Sequence, residues 1–382
     1  TGLPEVLGTF HAKSYLFDDS VLLTGANLAS EYFLTRKDRY LLVDNAREFA
    51  DHVHDLTALF CDQGERVQKG RAFEPRNASF AAQKRNLTNA HALLSFTARP
   101  SPEQAATLAQ LVERLDAQPA LPAHSPAAVH SGDDPALFEQ FRSAEGVKGV
   151  RKVFERMQHC LPELSRPVAP GEPDALLLPT LQIAHIGQRQ DEEMFAQLLA
   201  HFAQPTATGE FTLASGYFNP SPQLLNAFRA FAPAVETRFV CGDPRTSSFY
   251  RAGPIRGQIP LLYRTALLRW MRGLAGQANA RFYEFYRPGS TFHVKGVWAQ
   301  QGGEYLTLVG SSNYSVRSYT RDVEAQFWLF TRHPGLVQRL EQDRELVMAH
   351  AQSTSPEQLR RAADTRVGLR AQLLYELFKG FA

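Results

Sequence analysis

Apolar and polar residues alternate near the start of the chain, in SYLFDDSVLLTG (residues 14–25). This period of two around Asp18 and Asp19 predicts two antiparallel strands joined by a tight turn. A short helix and a buried strand, DRYLLVD (38–44), are predicted next. The following stretch, NAREFADHVHDLTALFCDQ, has apolar residues at helical spacing and predicts an amphipathic helix. These apolar residues are Phe49, Val53, Leu56, Leu59 and Phe60.

A different pattern begins near residue 175, where predicted strands and helices alternate. The predicted strands are GEFTLASGYFN, VETRFVCGDP and ARFYEFYRPG, and the predicted helices are SPQLLNAFRAFA and IPLLYRTALLRWMRGLAGQ. This alternation predicts an α/β layered fold. Residues 97–134 are rich in Ala, Pro and Ser, which indicates a flexible insertion or linker.

The last predicted helix, RVGLRAQLLYELFKGFA, has one apolar face. Its large apolar residues recur every four positions: Leu369, Leu373, Leu377 and Phe381. We expect this face to pack against the body of the protein. The alternative is that it rests on a membrane surface, as amphipathic helices with an apolar face do.

Composition changes this picture only slightly. The chain has 382 residues, 44% of them hydrophobic and 21% charged, with a net charge of +2. Such near-neutrality argues against a bulk nucleic-acid binder but leaves room for a local phosphate site. The three cysteines, Cys61, Cys160 and Cys241, lie far apart and are expected to be reduced and inert. No run reaches the roughly 18 to 20 apolar residues of a membrane-spanning helix.

Two stretches at opposite ends of the chain carry the same polar residues in the same order. The first set is His11, Lys13, Asn27 and Asp38, and the second is His293, Lys295, Asn313 and Glu324. In both sets the lysine follows the histidine by two positions and the acid follows the asparagine by eleven. A single His-x-Lys arises often by chance, but this repeated set indicates two copies of one functional element.

The residue types in this repeat suit phosphoryl chemistry. On a strand, the His and Lys of His-x-Lys project from the same face. Lysines and amides can hold phosphate oxygens as negative charge builds in the transition state. One histidine can attack phosphorus while the other moves protons. Asp38 and Glu324 can each fix the tautomer of a histidine, either in their own copy or in the opposite one.

The two stretches resemble the paired HKD motifs of the phospholipase D superfamily. Within it, HAKSYLFDDSVLLTGANLASEYFLTRKDRY, HVKGVW, LTLVGSSNYSVRSYTRDVEAQ, SGYFNPS and CGDPRTSSFYRAGPIRGQIPLLY resemble the mitochondrial phosphatidylglycerophosphate synthases. This resemblance implies two α/β domains related by a pseudo-twofold axis, with the active site between them. We expect the first domain at residues 1–170 and the second at 171–382. The family has a segment before the first motif, so we expect the first domain to be N-terminally incomplete.

The resemblance also implies site residues. The catalytic residues would be His11, Lys13, Asp18, His293 and Lys295; Asn27 and Asn313 would bind phosphate; Asp38 and Glu324 would support the histidines. The second motif has Gln300 in place of its Asp, as in HxKGxW variants, and a glutamine cannot serve as a general acid or base.

The implied reaction transfers the phosphatidyl group of CDP-diacylglycerol to glycerol 3-phosphate through a phosphatidyl-histidine, and releases CMP. His11 would be the nucleophile and His293 the base. No cofactor or metal is required. The implied partners are the two substrates and a membrane surface contacted peripherally, without nucleic acid, and the implied location is the mitochondrial inner membrane.

Other functions remain open at this stage. A phospholipase D-like hydrolase, a phosphatidylserine synthase or a nuclease would use the same residues with another acceptor. A non-catalytic lipid-binding scaffold is a further alternative, although both His–Lys pairs are present. Three arginines either bind the second phosphate of glycerol 3-phosphate or pair with Asp322 and Glu324; they are Arg287, Arg317 and Arg321. We expect Trp298 and Trp328 in the core, and Tyr217, Phe218 and Asn219 near the site.

Overall fold

The computed structural model describes residues 9–61, 175–184, 187–253, 256–361 and 365–380. Contacts group Thr1–Ala58 with Glu155–Ala382 in one compact unit, and Leu59–Phe154 in a second. The first unit contains all the elements below, apart from the end of one helix. The predicted insertion at 97–134, the boundary near residue 170, Cys160 and Phe381 lie outside the described residues. The division into two domains therefore stays a prediction.

The described strands fall into three sheets. In chain order they are β1 Ser14–Phe17, β2 Ser20–Thr24, β3 Arg36–Lys37, β4 Tyr40–Val43, β5 Ala175–Ile183, β6 Gln188–Arg189, β7 Gly209–Ser215, β8 Val235–Gly242, β9 Ala280–Phe285, β10 Thr291–Phe292, β11 Lys295–Gln301, β12 Glu304–Gly310, β13 Val323–Thr331 and β14 Ala351–Ser353. The largest sheet has nine strands in the order β14-β9-β8-β7-β11-β12-β13-β5-β6.

The described helices accompany these strands. They are α1 Ser30–Leu34, α2 Arg47–Cys61, α3 Gln190–Phe202, α4 Pro222–Arg229, α5 Ile259–Gly273, α6 Val316–Thr320, α7 Pro334–Met348, α8 Pro356–Arg361 and α9 Leu369–Phe378. Short 3₁₀ turns occur at Pro244–Thr246 and Arg256–Gln258. The predicted mixture of helices and strands is confirmed.

The core beside the large sheet is strongly aromatic. Phe211, Phe228, Phe239 and Trp270 are at most 3% exposed and form edge-to-face ring pairs. The helix α4, which supplies Phe228, begins where the Ser221 side chain accepts a hydrogen bond from the backbone N–H of Leu224. Strands β7, β8 and β9 run parallel, and β7 pairs with β11 in the antiparallel sense. This packing fixes β11, which begins at Lys295.

The N-terminal sheet has the order β1-β2-β4. Its predicted hairpin is confirmed, and Asp18 takes a φ of 49° at the turn. The helix α2 is also confirmed, with Val53 buried against the sheet residues Val21 and Leu23; the side chains of Leu59 and Phe60 are not described. The prediction that β4 is buried is wrong. Among the described strands it pairs with β2 alone, and Leu42 is 59% exposed.

The C-terminal helix α9 packs through a different face from the one predicted. Its buried residues are Ala371 and Tyr375, whereas Leu369, Leu373 and Leu377 are 84%, 64% and 63% exposed. The expected packing of the leucine face is therefore wrong. No helix in the described part of the chain is long and apolar enough to cross a membrane.

Candidate active site

The backbone brings each His-x-Lys segment beside the acidic segment of the other copy. Phe10 pairs in parallel with Val323, so that the next residues, His11 and Glu324, are neighbours. Strand β10 pairs in parallel with β3, with Phe292 opposite Lys37, so that His293 and Asp38 are neighbours in the same register. The two copies are thus interlocked by equivalent strand pairs.

The side chains complete this crossed arrangement. Nδ1 of His11 lies 2.9 Å from Oε2 of Glu324, and Nδ1 of His293 lies 2.6 Å from Oδ2 of Asp38. Both carboxylate side chains have no exposed surface. A carboxylate at Nδ1 fixes the ring orientation and leaves Nε2 as the nitrogen available for chemistry. The open question about the acids is settled, because each acid bonds the histidine of the opposite copy.

Burial makes the electrostatics of this site unusual. Burial, and next the charge of Lys295, lower the pKa of His293 to about 3, although Asp38 opposes the shift. Burial alone would raise the pKa of Glu324, but its interactions with His11 and Ser311 hold this pKa below its usual value. Glu324 is therefore ionised and can stabilise a positive charge on the His11 ring, whereas His293 is held neutral.

The two lysines point into the same region. Burial, and next the charge of Lys295, lower the pKa of Lys13 to about 7. Burial lowers the pKa of Lys295 to about 8. Each ammonium group donates a hydrogen bond to the backbone carbonyl of the histidine two positions before it. A bound phosphate would offset the repulsion that the charge of Lys295 exerts on Lys13, so the pair suits an anion.

The two asparagines have different surroundings. Asn27 is exposed, and its Nδ2 donates to Oη of Tyr32 over 3.2 Å. Asn313 is 9% exposed, and within the described part of the chain its Oδ1 is buried without a hydrogen-bond partner. Asn313 is held by its backbone, which donates to Ser318 and accepts from Ser215.

Two of the expected motif positions are not brought to the histidines. Asp18 lies exposed at the turn of the β1–β2 hairpin. Gln300 lies on β11 opposite Tyr305 of β12, five positions and about 16 Å along the strand from Lys295. The carboxylates bonded to the histidines are instead Asp38 and Glu324.

The aromatic residues and the asparagine that were expected near the site or in the core have the following positions. The Tyr217 ring lies 5.8 Å from that of His293, in an edge-to-face contact. Phe218 is a core residue, and Asn219 accepts a hydrogen bond from Tyr375 of α9. Trp298 and Trp328 are confirmed as core residues, each 1% exposed.

The three arginines near the second motif do not converge on the site. Arg317 pairs with Asp322 at 2.9 Å, as the pairing alternative held. Arg321 donates to the carbonyl of Gly380, and Arg287 is exposed. The partner of Glu324 is His11.

Sequence reasoning missed two residues of the first copy, Tyr32 and Arg36. The hydroxyl of Tyr32 lies 3.4 Å from Nε2 of His293, and Nη1 of Arg36 donates to that hydroxyl over 2.8 Å. The only available signal was their place between Asn27 and Asp38, within the stretch that resembles the family.

Comparisons with known proteins place the chain among similar sequences and folds. No family model matches the chain. The chain is 26% identical, over 347 residues, to the mitochondrial CDP-diacylglycerol–glycerol-3-phosphate 3-phosphatidyltransferase of Gallus gallus, covering 89% of this chain and 56% of that protein. The corresponding Homo sapiens protein is 27% identical, with 89% and 55% covered. A probable enzyme of the same name from Dictyostelium discoideum is 24% identical, with 99% and 58% covered.

The chain therefore spans a little more than half the length of these curated relatives. Among solved structures, the phosphatidylserine synthase of Haemophilus influenzae Rd KW20 matches with a TM-score of 0.58 and 17% identity, covering 98% of this chain and 69% of that one. This likeness establishes the fold. The resemblance expected from the two motifs is thus confirmed: the chain has a phospholipase D-like fold and is similar in sequence to the CDP-diacylglycerol–glycerol-3-phosphate 3-phosphatidyltransferases.

Proposed function

We propose that this chain transfers the phosphatidyl group of CDP-diacylglycerol to glycerol 3-phosphate, giving phosphatidylglycerophosphate and CMP. The observation that carries the proposal is the crossed pair of histidine–carboxylate contacts, with Lys13 and Lys295 beside them. Two imidazoles and two ammonium groups suit a phosphodiester that exchanges one oxygen substituent for another. The names of the similar proteins supply the donor and the acceptor.

In the first step, Nε2 of His11 forms a bond to the phosphorus that carries diacylglycerol. The P–O bond to CMP breaks, and its electron pair stays on the CMP oxygen. CMP leaves without needing a proton, because its phosphate has a second pKa of about 6. Glu324 stabilises the positive charge that develops on the His11 ring.

In the second step, the primary hydroxyl of glycerol 3-phosphate attacks the phosphatidyl-histidine. Its oxygen forms the new P–O bond, its proton passes to Nε2 of His293, and the P–N bond breaks with its electron pair returning to His11. The carboxylate of Asp38 at Nδ1 stabilises the positive charge that the His293 ring gains with this proton. Lys13, Lys295, Asn27 and Asn313 hold the phosphoryl oxygens.

The acceptor is tested by release of CMP from CDP-diacylglycerol in mixed micelles. We expect sustained turnover with glycerol 3-phosphate, and with serine or water no more than the one CMP per active site that the first step releases. Sustained release with serine would instead support a phosphatidylserine synthase, and sustained release with water a hydrolase. Binding of CDP-diacylglycerol with no release under any condition would support the non-catalytic scaffold.

The roles of the histidines are tested by trapping. With donor labelled in its diacylglycerol phosphate, His293→Asn should accumulate label on the protein and His11→Asn should not. Label on the His11→Asn variant alone would reverse the two roles.

We also propose that α9 rests on a membrane surface, in the mitochondrion that the similar proteins name. Leu369, Leu373 and Leu377 are more than 60% exposed, and the exposed cations Arg366 and Lys379 flank them. An apolar stripe between cations fits an anionic lipid surface. The other face of the helix is tied to Asn219, two residues from Tyr217 at the site, so that the stripe lies on the element next to the lipid-processing centre.

Sedimentation with vesicles that contain about a third anionic lipid tests this surface. Leu373→Glu should reduce the bound fraction, because a carboxylate at the apolar face opposes insertion. Leu346→Glu on α7 is the matched control, since Leu346 is 74% exposed but lies outside the stripe. Equal binding by both variants would contradict a membrane role for α9.

A further inference from the structure

Arg36 places a guanidinium beside the reactive nitrogen of one histidine. Its Nη1 donates to the Tyr32 hydroxyl over 2.8 Å, and that oxygen lies 3.4 Å from Nε2 of His293. The guanidinium carbon lies 4.5 Å from the centre of the Tyr32 ring. Nε of Arg36 donates to the hydroxyl of Thr291, two residues before His293, over 3.3 Å. Hydrogen bonds to both copies therefore hold this cation next to the histidine.

The outer side of Arg36 can take a further anion. A guanidinium has five N–H donors, and Nη2 of Arg36 forms an ion pair with Glu31 at 3.0 Å. The Arg36 side chain is 15% exposed, whereas that of Glu31 is 53% exposed. An ion pair with an exposed partner contributes little to stability, so an anion from solution can replace Glu31 at small cost. Arg317 differs, because the side chain of its partner Asp322 is only 5% exposed.

The proposed acceptor carries a phosphate that takes no part in the transfer. In the proposed reaction Lys13 and Lys295 hold the phosphoryl group that is transferred, so the acceptor phosphate needs a cation of its own. This phosphate is largely a dianion at neutral pH, because its second pKa is about 6. A guanidinium can bind such a group with two parallel hydrogen bonds.

The spacing between Arg36 and His293 fits the length of this acceptor. Five single bonds separate the attacking oxygen of glycerol 3-phosphate from its phosphorus, a reach of about 6 Å when extended. The attacking hydroxyl must lie close to Nε2 of His293 to give up its proton. From that nitrogen, contacts of 3.4 and 2.8 Å lead through the Tyr32 hydroxyl to Nη1 of Arg36. One acceptor molecule can therefore contact both groups.

A dianion bound at Arg36 would also assist the second step. Burial, and next the charge of Lys295, lower the pKa of His293 to about 3 in the free protein. Negative charge near the ring favours its protonated form and raises this pKa. The acceptor would thus bring part of the charge that stabilises the His293 ring when it accepts the proton.

We propose that Arg36 binds the phosphate of glycerol 3-phosphate, which takes the place of Glu31 on the guanidinium. The inference rests on the proposed transfer and deepens it, by naming the residue that recognises the acceptor. Arg36 serves the second step, in which the acceptor hydroxyl attacks the phosphatidyl-histidine. The first step, in which CDP-diacylglycerol loses CMP, does not use it.

The test separates the two steps by their specificity constants. With a covalent intermediate, kcat/KM for CDP-diacylglycerol reports the first step, and kcat/KM for glycerol 3-phosphate reports the second. In Arg36→Gln we expect kcat/KM for glycerol 3-phosphate to fall about 10- to 100-fold, and kcat/KM for CDP-diacylglycerol to stay unchanged. Arg332→Gln is the matched control, since Arg332 forms an exposed ion pair with Glu304. It should leave both constants unchanged.

A second variant, Glu31→Gln, tests the exchange of partners at Arg36. Loss of this carboxylate frees the guanidinium and removes a negative charge that competes with the phosphate. We therefore expect kcat/KM for glycerol 3-phosphate to rise about two- to fivefold. A residue needed only for folding would not give opposite effects in Glu31→Gln and Arg36→Gln.

Several outcomes would overturn the inference. Equal falls of both constants in Arg36→Gln would mean that Arg36 only maintains the structure around Tyr32. A fall for CDP-diacylglycerol alone would place the donor at Arg36, and two unchanged constants would place the acceptor phosphate elsewhere. A lower or unchanged constant for glycerol 3-phosphate in Glu31→Gln would show that Glu31 is not displaced. Failure of the wild-type protein to sustain CMP release with glycerol 3-phosphate is a separate result, which would overturn the proposed function itself.

Discussion

Lys13 and Lys295 differ from ordinary surface lysines because Lys295 is buried, Lys13 is partly buried, and the charge of Lys295 acts on Lys13. Their pKa values are lowered to about 7 and about 8, mainly by loss of hydration. A lysine with a lowered pKa keeps its positive charge only at pH values below that pKa. The phosphate-binding charge of the free protein is therefore lost as pH rises through 7 and 8.

This titration predicts an alkaline decline in kcat/KM, which reports the free enzyme. With CDP-diacylglycerol varied, kcat/KM should fall from about pH 7 upward, because first Lys13 and then Lys295 loses its proton. In Lys13→Arg the guanidinium stays charged, so the decline of the remaining activity should begin nearer pH 8. A wild-type profile that is flat between pH 6 and 9 would contradict this interpretation.

The buried acids lead to a second prediction. Glu324→Gln keeps the shape of the side chain but removes the charge that stabilises a cationic His11 ring, so kcat should fall about 10- to 100-fold. Glu304→Gln is the control, because Glu304 forms an exposed ion pair with Arg332. Steady-state CMP release measures both. Equal rates in the two variants would show that the contact with His11 is not used.

At the level of elements, Gly25 shows how closely the N-terminal sheet approaches the large sheet. It follows β2, and a Cβ placed there would lie 2.8 Å from the carbonyl oxygen of Gly310, at the end of β12. The same Cβ would meet Lys295 at 3.1 Å and Asp38 at 3.2 Å. The glycine before Asn27 is therefore needed for packing, next to two residues of the site.

Gly25→Ala should lower the free energy of unfolding by about 1–3 kcal/mol, because the backbone oxygen it meets cannot move without shifting a strand. Activity should fall with it, since Lys295 and Asp38 would be displaced. Gly276→Ala is the control, because a Cβ there meets no atom within 4 Å. Urea unfolding compares the two variants, and equal midpoints would contradict the steric argument.

Elements were predictable from sequence where the pattern itself determines them. The β1–β2 hairpin, helix α2 and the alternation from residue 175 onward follow from local periodicity. Burial was less predictable, because it depends on which neighbours an element meets. β4 was expected to be buried but alternates exposed and half-buried residues, and α9 buries Ala371 and Tyr375 although its leucines form the more apolar face.

Across the whole molecule, Arg39 ties the first copy to the second. It is 4% exposed, and its guanidinium bonds Asp343 of α7 and Thr307 of β12, with its carbon 4.0 Å from the centre of the Trp298 ring. The residue before it, Asp38, holds His293. Contacts at long sequence separation thus fix the acid that the distant histidine uses.

Arg39→Gln should lower the free energy of unfolding by about 1.5–3 kcal/mol, since it leaves Asp343 without its charged partner. A double-mutant cycle with Asp343→Asn should show that the two losses are not additive. Thermal or urea unfolding measures the four proteins. Additive losses would mean that the pair contributes nothing through its own contact.

The convergence of the two copies was predictable, because the repeated residue set and the family resemblance both indicated it. The exchange of acids was not, because the equal spacing from Asn27 to Asp38 and from Asn313 to Glu324 is compatible with either pairing. Tyr32 was missed for a similar reason. A lone tyrosine carries no spacing signal, and its contact with His293 spans 261 positions of the chain.

The exchanged acids have a genetic consequence. Glu324 bonds His11, and Asp38 bonds His293. A mutation of the acid in either copy therefore removes a contact of the histidine in the other copy, and the unmutated copy cannot replace it. If the gene were divided between the copies, each polypeptide alone should be inactive. Activity should be recovered only when the two polypeptides associate. The exchange of acids therefore ties the two halves to a single working unit.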